Sequence, residues 1–561
     1  MRVLLLCHSF NSLTQRLHVE LREWGHEVSV EFDIHDSITE EAVRLFHPDL
    51  VIATFLKRAI PESVWRQRRC LVVHPGIKGD RGPSALDWAI LRGEPEWGVT
   101  VLQANRVFDA GDIWATRNFS MREAPKGSIY RTETTEAAVA CVLDAIDKIQ
   151  SGTALPEPLN ESAAGVRGRP HAPTRKADRA IGWNELGAGE ILRRICSADG
   201  APGAAGQWLG EEFHFYDAHP EDSLTGDPGQ INAQRHGAVC VGTVDGAIWI
   251  GHLRRAGDGE LPPLKLPAAM VLGKDRLAGI PEIPPGEGQT YRDLWYEESN
   301  GVGFLHFPFY NGAMSTNHCE RLCDAVRRAR LRPTRVLTLM GGHDFWSNGI
   351  HLGVIENAAS PADESWRNIQ AMDDLVLEII KCHDQITISA MQGNAGAGGV
   401  FLALAADYVW ARSGIVLNPH YKGMGNLYGS EYWTYLLPRR TGQERAREIA
   451  HARLPVGTAE ALRWRLIDDR FGKSPQTFAN LVRERAEALA ADPSLPCLIE
   501  EKRRRRAEDE ALKPLGQYRS EELERMKLNF FGFDPSYHIA RYNFIRRVPK
   551  SRTPSWLTNH R

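Results

Sequence analysis

The stretch Leu71-Val72-Val73-His74-Pro75-Gly76 joins three apolar residues to a histidine that a proline and a glycine follow. The apolar runs at residues 71–73, 3–6 and 50–53 are typical of buried strands in a parallel sheet. Helical patterns lie between these runs, at residues 12–24 and 38–45. Strands that alternate with helices predict an α/β sheet whose functional groups lie at the carboxyl ends of its strands. His74 follows such a strand directly, so we expect chemistry there.

The bulk composition is that of a globular protein and excludes several classes of function. With 561 residues the chain is too long for one hydrophobic core, and we expect about two to four domains. A formal net charge of -3 provides no basic field for nucleic acid. The nine cysteines are scattered without metal-binding spacing, which favours reduced thiols in the cytoplasm and predicts no metal site. No apolar run is long enough to cross a membrane.

Changes in pattern divide the chain into three predicted domains. The first α/β pattern covers residues 1–155 and ends in a stretch rich in Pro, Gly and Arg at 155–175. Apolar runs on both sides of Val244-Asp245-Gly246 predict a hairpin, and with it a small β-rich module at 176–275. From residue 295 the alternation resumes, with strands at 336–340 and 386–390. The third domain, 295–561, ends in a helical, charged extension that begins near residue 475.

Two short motifs in the first domain supply groups for formyl transfer. Such a transfer needs a proton acceptor for the nucleophile and a group that orients it, and an imidazole near a carboxylate meets both needs. His74 and Asp109 are the candidates, in the motifs His74-Pro75-Gly76, Gly79-Asp80-Arg81-Gly82 and Phe108-Asp109-Ala110-Gly111-Asp112. Together with residues 126–131 and 175–183, these motifs resemble the formyltransferases that use N10-formyltetrahydrofolate. The resemblance implies catalytic His74 and Asp109, cofactor contacts by Arg81 and Gly82, and a β-barrel-like module after residue 175.

One position departs from that family. The family usually has an asparagine two residues before the histidine, where its amide polarises the formyl oxygen, and here Val72 occupies this position. Because a thiolate needs less help as a nucleophile than an amine does, the departure favours a thiol acceptor.

A polar turn at residues 9–15 leads into the first predicted helix. Ser9, Ser12 and Gln15 at this helix start, with Arg131, are candidates to hold the phosphates of the acceptor. An ordinary helix cap is the alternative interpretation of the turn.

A glycine-rich pattern in the third domain is the second source of chemistry. It runs from Gly301-Val302-Gly303 through Phe345-Trp346-Ser347-Asn348-Gly349-Ile350 to Gly393-Asn394-Ala395-Gly396-Ala397-Gly398-Gly399. The pattern resembles the enoyl-CoA hydratase/isomerase (crotonase) superfamily. By that resemblance the backbone N–H groups of Ile350 and Gly398 hold a thioester oxygen and Asn348 contacts coenzyme A. Glycines suit such a site because they let backbone amides approach a ligand closely.

The two glutamates that this superfamily uses for hydration are replaced by Phe401 and His420. Addition of water is therefore not expected, and other groups must carry a proton. Tyr421 and Glu431 are the catalytic candidates, with His420 in reserve. For the neighbouring Tyr428 and Tyr432, a place in an aromatic pocket wall is an equally good interpretation.

A folate-type module followed by a CoA-type module resembles the HypX family of hydrogenase-maturation proteins. The resemblance implies an α/β multidomain protein with a formyltransferase-like Rossmann-type sheet, a small β-barrel-like module and a crotonase-like β/α C-terminal domain. It further implies formyl transfer from N10-formyltetrahydrofolate to coenzyme A, then decarbonylation of formyl-CoA to CO for [NiFe]-hydrogenase. Its implied partners are small-molecule substrates and hydrogenase-maturation proteins, in the cytoplasm.

Two other interpretations compete with this one. The first is a formyltransferase for an amine, on a sugar or an aminoacyl-tRNA, fused to an acyl-CoA hydrolase; Val72 and the lack of basic charge count against it. The second is a non-catalytic scaffold that binds CoA and folate, against which the presence of both His74 and Asp109 counts.

Overall fold

The computed structural model describes every residue except Ala164, Asp258 and Glu260. The chain divides into two compact units. The first unit contains Met1–Arg292 together with Lys550–Arg561, and the second contains Asp293–Pro549. The last twelve residues therefore belong to the same unit as the N-terminal part of the chain.

The first unit opens with a six-stranded sheet in the order β2-β1-β3-β4-β5-β6. Its strands are β1 (Arg2–Cys7), β2 (Glu27–Phe32), β3 (Leu50–Phe55), β4 (Cys70–His74), β5 (Glu96–Gln103) and β6 (Ile113–Ser120). The first four are parallel to one another, which confirms the predicted α/β alternation. Strands β5 and β6 join antiparallel, an arrangement that the sequence pattern did not predict.

Helices connect these strands and bury their apolar faces against the sheet. They are α1 (Ser12–Glu23), α2 (Asp36–Phe46), α3 (Glu62–Trp65), α4 (Ala85–Arg92), α5 (Lys126–Ile129) and α6 (Thr135–Ser151). A π-helical turn, Tyr130–Thr134, joins α5 to α6. One apolar cluster packs Leu4, Leu6, Phe46 and Val51 together, which are all nearly inaccessible to solvent.

The predicted small module forms a second sheet, in the order β7-β8-β11-β10-β9 with β12 beside β11. Its elements are α7 (Ala188–Ser197), β7 (Ala204–Trp208), β8 (Glu211–Glu221), β9 (Ile231–Arg235), β10 (Ala238–Gly242), β11 (Ala247–Arg255), β12 (Leu266–Pro267) and α8 (Ala268–Leu272). The predicted hairpin is confirmed, since Gly242 pairs with Ala247.

The barrel-like form that the resemblance implied is corrected by these pairings. Among the described strands the sheet is open, with β7 at one edge and β9 at the other. Ile191 and Ile195 of α7 and Ala268 and Leu272 of α8 pack in one core with the sheet. Because helices already cover the apolar face, the sheet needs no closing strand to bury it.

Residues 550–561 lie along the edge strand β2. Phe32 N–H donates to Thr553 Oγ1 at 2.8 Å, and Asn559 Nδ2 donates to Val28 O at 2.6 Å. His560 Nε2 lies 2.9 Å from Glu31 Oε2, and both side chains are fully buried. The segment thus covers a sheet edge that would otherwise present unpaired backbone groups.

The second unit is built on two sheets. The larger runs β13-β14-β15-β17-β19-β22 and the smaller runs β16-β18-β20-β21. The strands are β13 (Trp295–Ser299), β14 (Val302–Phe307), β15 (Val336–Gly341), β16 (Phe345–Ser347), β17 (Ile386–Met391), β18 (Asn394–Gly396), β19 (Tyr408–Arg412), β20 (Val416–Asn418), β21 (Val456–Gly457) and β22 (Asp469–Phe471). From β14 to β22 the larger sheet is parallel, as the sequence predicts.

Eleven helices surround these sheets in the described part of the second unit. They are α9 (Thr316–Arg330), α10 (Leu352–Asn357), α11 (Pro361–Ile380), α12 (Gly398–Leu404), α13 (Trp433–Thr441), α14 (Gln443–Ala452), α15 (Thr458–Arg463), α16 (Pro475–Ala491), α17 (Leu495–Leu512), α18 (Leu515–Phe531) and α19 (Ser536–Ile545). The apolar residues Ile369, Met372, Leu375 and Ile379 lie on one face of α11 and are buried, and helices α16 to α19 confirm the predicted helical extension. Among the described residues, no helix has both the length and the apolar character needed to cross a bilayer.

Candidate active sites

His74 ends strand β4 and lies between two carboxylates. Its Nε2 is 2.8 Å from Asp80 Oδ2, and its Nδ1 is 3.6 Å from Asp109 Oδ1. The His74 side chain is 5% exposed and that of Asp109 17%, so the Asp109 side is the more open one. The two motifs that the sequence selected therefore meet at one imidazole.

Glycine and left-handed backbone bring these groups together. A Cβ on Gly76 would lie 2.5 Å from both His74 Nε2 and Asp80 Oδ2, so only glycine fits beneath their contact. Asp109 has φ +52°, and its Oδ2 accepts a hydrogen bond from Gly82 N–H at 3.2 Å. Gly82 thus orients the carboxylate, which is a different role from the cofactor contact that we predicted for it.

Asp80 and His171 belong to the same cluster, and neither was among the predicted site residues. His171 Nε2 lies 2.8 Å from Asp80 Oδ1, with side-chain exposures of 8% and 0%. His171 N–H donates to Arg81 O at 2.8 Å, which fixes the second histidine against the motif loop. Asp80 belongs to the motif Gly79-Asp80-Arg81-Gly82, so its carboxyl group could have been recognised as a site residue from the sequence. His171 comes from the Pro/Gly-rich stretch at 155–175, where no local pattern marked it.

Val72 packs against the apolar cluster between the sheet and α2. It lies two residues before His74 on β4, and hence on the same face of the strand. No side-chain amide can come from this position, so a formyl oxygen here must take its hydrogen bonds from other groups.

The turn before α1 is capped by Asn11. Its Oδ1 accepts from Thr14 N–H at 3.0 Å, and its Nδ2 donates to Tyr130 Oη at 3.2 Å, which links the turn to the π-helical turn that carries Arg131. Gln15 Nε2 donates to Phe10 O at 2.9 Å. Ser9 is exposed, and Ser12 is half-buried as the first residue of α1. The structure therefore brings Arg131 towards the start of α1. The capping residue is Asn11, which was not among the predicted site residues.

The positive charge of Arg81 is already paired with a carboxylate. Its Nη2 forms an ion pair with Glu161, in the stretch that follows the first domain. A cofactor contact by Arg81 would have to share the guanidinium with this carboxylate.

Ile350 and Gly398 come together at the second site. Gly349 has φ +76°, and a Cβ built on it would lie 3.4 Å from Gly398 N. Gly398 begins α12, so its N–H has no partner within the helix. Ile350 pairs in a short bridge with Met314. Two neighbouring turns of backbone thus approach each other as a thioester oxyanion hole requires.

Ala397, which precedes α12, has an unusual backbone. Its φ of +48° and ψ of -128° lie outside the left-handed helical region that non-glycine residues can adopt at modest cost. Ala397 N–H donates to Asn418 O at 2.9 Å, and Trp346 Nε1 donates to Gly399 O at 2.9 Å. These bonds hold the strained turn in the conformation that aims the Gly398 N–H. Asn348, the predicted CoA contact, is exposed and donates from Nδ2 to Asn311 O at 2.8 Å.

Glu431 lies directly against Gly398. A Cβ on Gly398 would be 2.1 Å from Glu431 Oε1, so glycine is required for the approach of this carboxyl group. Tyr421 Oη donates a short hydrogen bond to Glu431 Oε2. Glu431 is 1% exposed and Tyr421 8%. The two candidates Tyr421 and Glu431 are thus in contact with each other and next to the predicted oxyanion hole.

Burial sets the protonation of this pair. It raises the pKa of Glu431 to about 8, and the negative charge of Asp373 adds to that effect, while Tyr421 opposes it by donating to the carboxylate. Burial and the charge of Glu431 raise the pKa of Tyr421 well above its ordinary value. Tyr421 therefore remains protonated near neutral pH, whereas Glu431 can gain and lose a proton there.

Phe401 and His420, which by the resemblance replace the two glutamates used for hydration, lie near Tyr421 and Glu431 in the chain. The Phe401 ring stacks on Tyr421 at a centroid distance of 5.3 Å and is 1% exposed. Both ring nitrogens of His420 are buried without a hydrogen-bond partner among the described residues. Burial, with a smaller contribution from the charge of Arg453, lowers the pKa of His420 to about 4. His420 is therefore neutral at pH 7.

The two tyrosines left open by the sequence lie in the same region. Tyr428 packs edge-on against Trp433 at 5.5 Å, and Tyr432 is 1% exposed. In the part of the chain that the structure describes, no group of three or more His, Cys, Asp and Glu side chains is arranged to hold a metal ion.

Three family models match the chain in the order that the sequence motifs predict. The formyl transferase model matches residues 19–143, and the model of the formyl transferase C-terminal domain matches 173–266. The enoyl-CoA hydratase/isomerase model matches 298–517. Methionyl-tRNA formyltransferase of Nitrosomonas europaea is 26% identical over 249 residues, which cover 43% of this chain and 72% of that relative.

Among the similar proteins, two illustrate matches over the whole chain. The crystal structure of HypX from Aquifex aeolicus in complex with tetrahydrofolic acid has a TM-score of 0.96 and 49% identity, covering 100% of this chain and 99% of that one. The hydrogenase maturation factor HoxX of Bradyrhizobium diazoefficiens is 57% identical over 561 residues, 100% of this chain and 97% of the relative. Identity at this level over the full length shows common descent of both units and of their order, and the chain therefore belongs to the HypX/HoxX family of hydrogenase maturation factors.

Proposed function

We propose that the protein makes carbon monoxide in two steps and supplies it as a ligand for [NiFe]-hydrogenase. The first unit transfers the formyl group of N10-formyltetrahydrofolate to the thiol of coenzyme A. The second unit converts formyl-CoA to CO and CoA. The likeness to a HypX bound to tetrahydrofolic acid supports folate as the source of the formyl group. The match to a hydrogenase maturation factor supports the use of the product in hydrogenase maturation.

In the first step, the CoA sulfur attacks the formyl carbon and its proton passes to the His74 imidazole. The C–N10 bond then breaks, and N10 takes the electron pair and a proton. Asp109 lies 3.6 Å from His74 Nδ1 on the more open side of the ring, where it can orient the imidazole and stabilise its charged form. Val72 supplies no amide for the formyl oxygen, which suits a thiol acceptor that needs little activation.

In the second step, the formyl C–H bond and the C–S bond of formyl-CoA both break. The proton goes to a base, the electron pair of the C–H bond stays on carbon as the lone pair of CO, and the sulfur leaves as a thiolate that then takes up a proton. Glu431 is the base, because its pKa of about 8 lets it accept a proton near neutral pH and return it. The N–H groups of Ile350 and Gly398 hold the thioester oxygen, and Tyr421 orients Glu431.

One observation carries the proposal: Tyr421 and Glu431 form a hydrogen-bonded pair next to the predicted oxyanion hole, and Phe401, which by the resemblance replaces a hydratase glutamate, stacks on Tyr421. The Phe401 ring covers Tyr421 and keeps activated water from the thioester, so hydrolysis to formate is suppressed. The same arrangement counts against the alternative of an acyl-CoA hydrolase.

Ligand contacts and cellular location complete the proposal. Ser9, Ser12, Gln15 and Arg131 bind phosphates of CoA, with Arg81 and Gly82 near the folate and Asn348 near the thioester. We assign formyl transfer to the domain at residues 1–155 with the small module at 176–275, and CO formation to the domain at 295–561. The protein works in the cytoplasm with other hydrogenase-maturation proteins, and all nine cysteines are free thiols, as a reducing compartment requires.

The test is a direct product assay. Purified protein is mixed with CoA and N10-formyltetrahydrofolate carrying a ¹³C formyl group, and formyl-CoA and ¹³CO are followed by mass spectrometry and by a haem-based CO assay. We expect both products. Transfer to an amine with no thioester product would establish the amine formyltransferase alternative, and ligand binding without turnover would establish the scaffold.

A further inference from the structure

Glu431 and Tyr432 are two consecutive residues in the left-handed region, with φ of +60° and +58°. Non-glycine residues pay for this conformation, and two in succession persist only when surrounding contacts hold them. Here each backbone N–H binds a buried carboxylate. Glu431 N–H donates to Asp373 Oδ1 at 2.8 Å, and Tyr432 N–H donates to Glu522 Oε2 at 2.9 Å.

We propose that Asp373 and Glu522 are positioning residues for CO formation, which together hold the Glu431 carboxyl group against Gly398. We call these two residues the carboxylate clamp. The inference rests on the proposed function and goes beyond it, because Glu522 lies on α18, past residue 517 where the enoyl-CoA hydratase/isomerase match ends. The helical extension is therefore part of the second site.

Glu522 binds the backbone segment that follows Glu431 and leads into α13. Besides Tyr432 N–H, it accepts from Thr434 N–H at 2.8 Å and from Thr434 Oγ1 at 2.5 Å, so it caps the first turn of α13. Glu522 is fully buried, and burial raises its pKa well above the ordinary value. A buried carboxyl group is costly unless its oxygens are bonded, and these three donors offset that cost.

Asp373 fixes Glu431 and also sets its charge. Asp373 Oδ1 accepts from both Ser430 Oγ, at 2.6 Å, and Glu431 N–H, while Oδ2 lies 3.6 Å from Arg519 Nε. Burial raises the pKa of Asp373 to about 6, so the group is ionised at pH 8. Its negative charge there disfavours the ionised form of Glu431.

The pH dependence of CO release depends on every charged group that faces Glu431. The titratable groups that interact with Glu431 are Tyr421 in the loop before it, Asp373 on α11, Glu522 on α18 and the Cys319 thiol on α9, while Arg519 on α18 faces Asp373. As a base Glu431 must be ionised, so CO release rises with pH through about 8 in the wild-type protein. A change that removes negative charge nearby moves this rise to lower pH.

Two variants separate position from charge. Asp373→Asn keeps an oxygen that can accept from Glu431 N–H and Ser430 Oγ but removes the charge, so we expect the pH profile of CO release to shift down by about one pH unit. Glu522→Gln keeps one acceptor oxygen and places an NH₂ group against a backbone donor on the other side. The substitution loosens the backbone at Tyr432 and Thr434 and so lets the Glu431 carboxyl group shift. Because small displacements of a reacting group slow catalysis strongly, we expect CO release to fall about tenfold or more.

The assay supplies formyl-CoA directly to full-length protein and measures CO by its binding to reduced haem, from pH 6 to pH 10. Tetrahydrofolate formation from N10-formyltetrahydrofolate and CoA serves as a readout of the first site, which neither variant should change. Glu521→Gln is the matched control, because Glu521 is the exposed neighbour on the same helix and bonds to Lys513 and Gln517. Ser430→Ala is a milder variant that removes one hydrogen bond to Asp373 and keeps the backbone contact.

The outcomes decide between the proposals. Slower CO release in Glu522→Gln and a shifted profile in Asp373→Asn, with an unchanged first site, would support the clamp. Wild-type rates and profiles in both variants, with active wild-type protein, would overturn the clamp alone. If Glu522→Gln fails to fold, an unmoved profile in Asp373→Asn and Ser430→Ala overturns it. Wild-type protein that binds formyl-CoA and releases no CO would overturn the clamp and the proposed function together.

Discussion

The two candidate sites solve opposite electrostatic problems. At the first, His74 and His171 alternate with the carboxylates of Asp80 and Asp109, so acidic and basic groups are neighbours. At the second, Asp373, Glu431 and Glu522 are three acidic groups buried close together. Alternating acidic and basic groups hold a base and its orienting partner in one arrangement. Acidic groups that are buried close together raise one another's pKa, so that a carboxyl group can still hold a proton near neutral pH.

The contrast suits the two proposed reactions. Formyl transfer needs a base that takes a thiol proton and is held in one orientation throughout. Decarbonylation needs a group that takes a proton from carbon and then gives it to sulfur, so neither form of that group can be strongly favoured. Variants that disturb one site and spare the other test this difference.

The largest effect is expected at His74. His74→Ala removes the base of the first step, and Asp109→Asn removes its charged partner, so formation of tetrahydrofolate should fall by about two to four orders of magnitude. CO release from added formyl-CoA should remain normal in both variants. Near wild-type folate turnover in both would show that the His74 cluster is structural.

Next in size are Glu431→Gln and Tyr421→Phe. The first removes the proton acceptor and should slow CO release by about two orders of magnitude or more; the second removes its hydrogen-bond donor and should cost less. Formyl-CoA should still form at the first site and accumulate, as mass spectrometry would detect. Normal CO release in both variants would contradict the mechanism of the second step and leave the formyl transfer intact.

A smaller effect is expected for His171→Asn. The change takes away the imidazole that contacts Asp80 Oδ1, so Asp80 is held less firmly against His74 and formyl transfer should slow about tenfold. His451→Asn, on the exposed face of α14, is the control. An unchanged rate of tetrahydrofolate formation would limit His171 to a role in folding.

The smallest effect on the chemistry is expected for Val72→Asn, which restores the residue usual in formyltransferases. Val72 packs in an apolar cluster, so the added amide would lose hydrogen bonds to water and destabilise the fold by about 1–3 kcal/mol. We expect a lower melting temperature and no gain in formyl-CoA formation. A large gain would instead mark Val72 as a defect of the site.

Local patterns were sufficient for several elements and for the choice of candidate residues at each site. The apolar runs before His74 and around Val244-Asp245-Gly246 predicted a strand and a hairpin that the structure confirms. The motifs selected His74 and Asp109 at the first site and Tyr421 and Glu431 at the second, and the structure brings each two residues together, while their catalytic roles stay predictions.

Contacts between distant segments were not accessible in this way. His171 is 91 residues from its partner Asp80, and Glu522 is 90 residues from Tyr432, and neither has a marked neighbourhood in the sequence. Asp373 looked like any other acidic residue of an amphipathic helix. The antiparallel β5 and β6 also escaped prediction, since strand direction depends on the connection and not on the apolar pattern of the strand.

The segment at 550–561 has a consequence for synthesis of the protein on the ribosome. Its residues Thr553 and His560 bind β2, which is translated more than five hundred residues earlier. Until they emerge, the β2 edge of a finished sheet is open to other chains, and nascent protein carries an aggregation hazard through translation of the entire second unit. A chaperone that shields this edge during elongation, or slow growth at low temperature, should raise the yield of the full-length protein, and deletion of 550–561 should lower it.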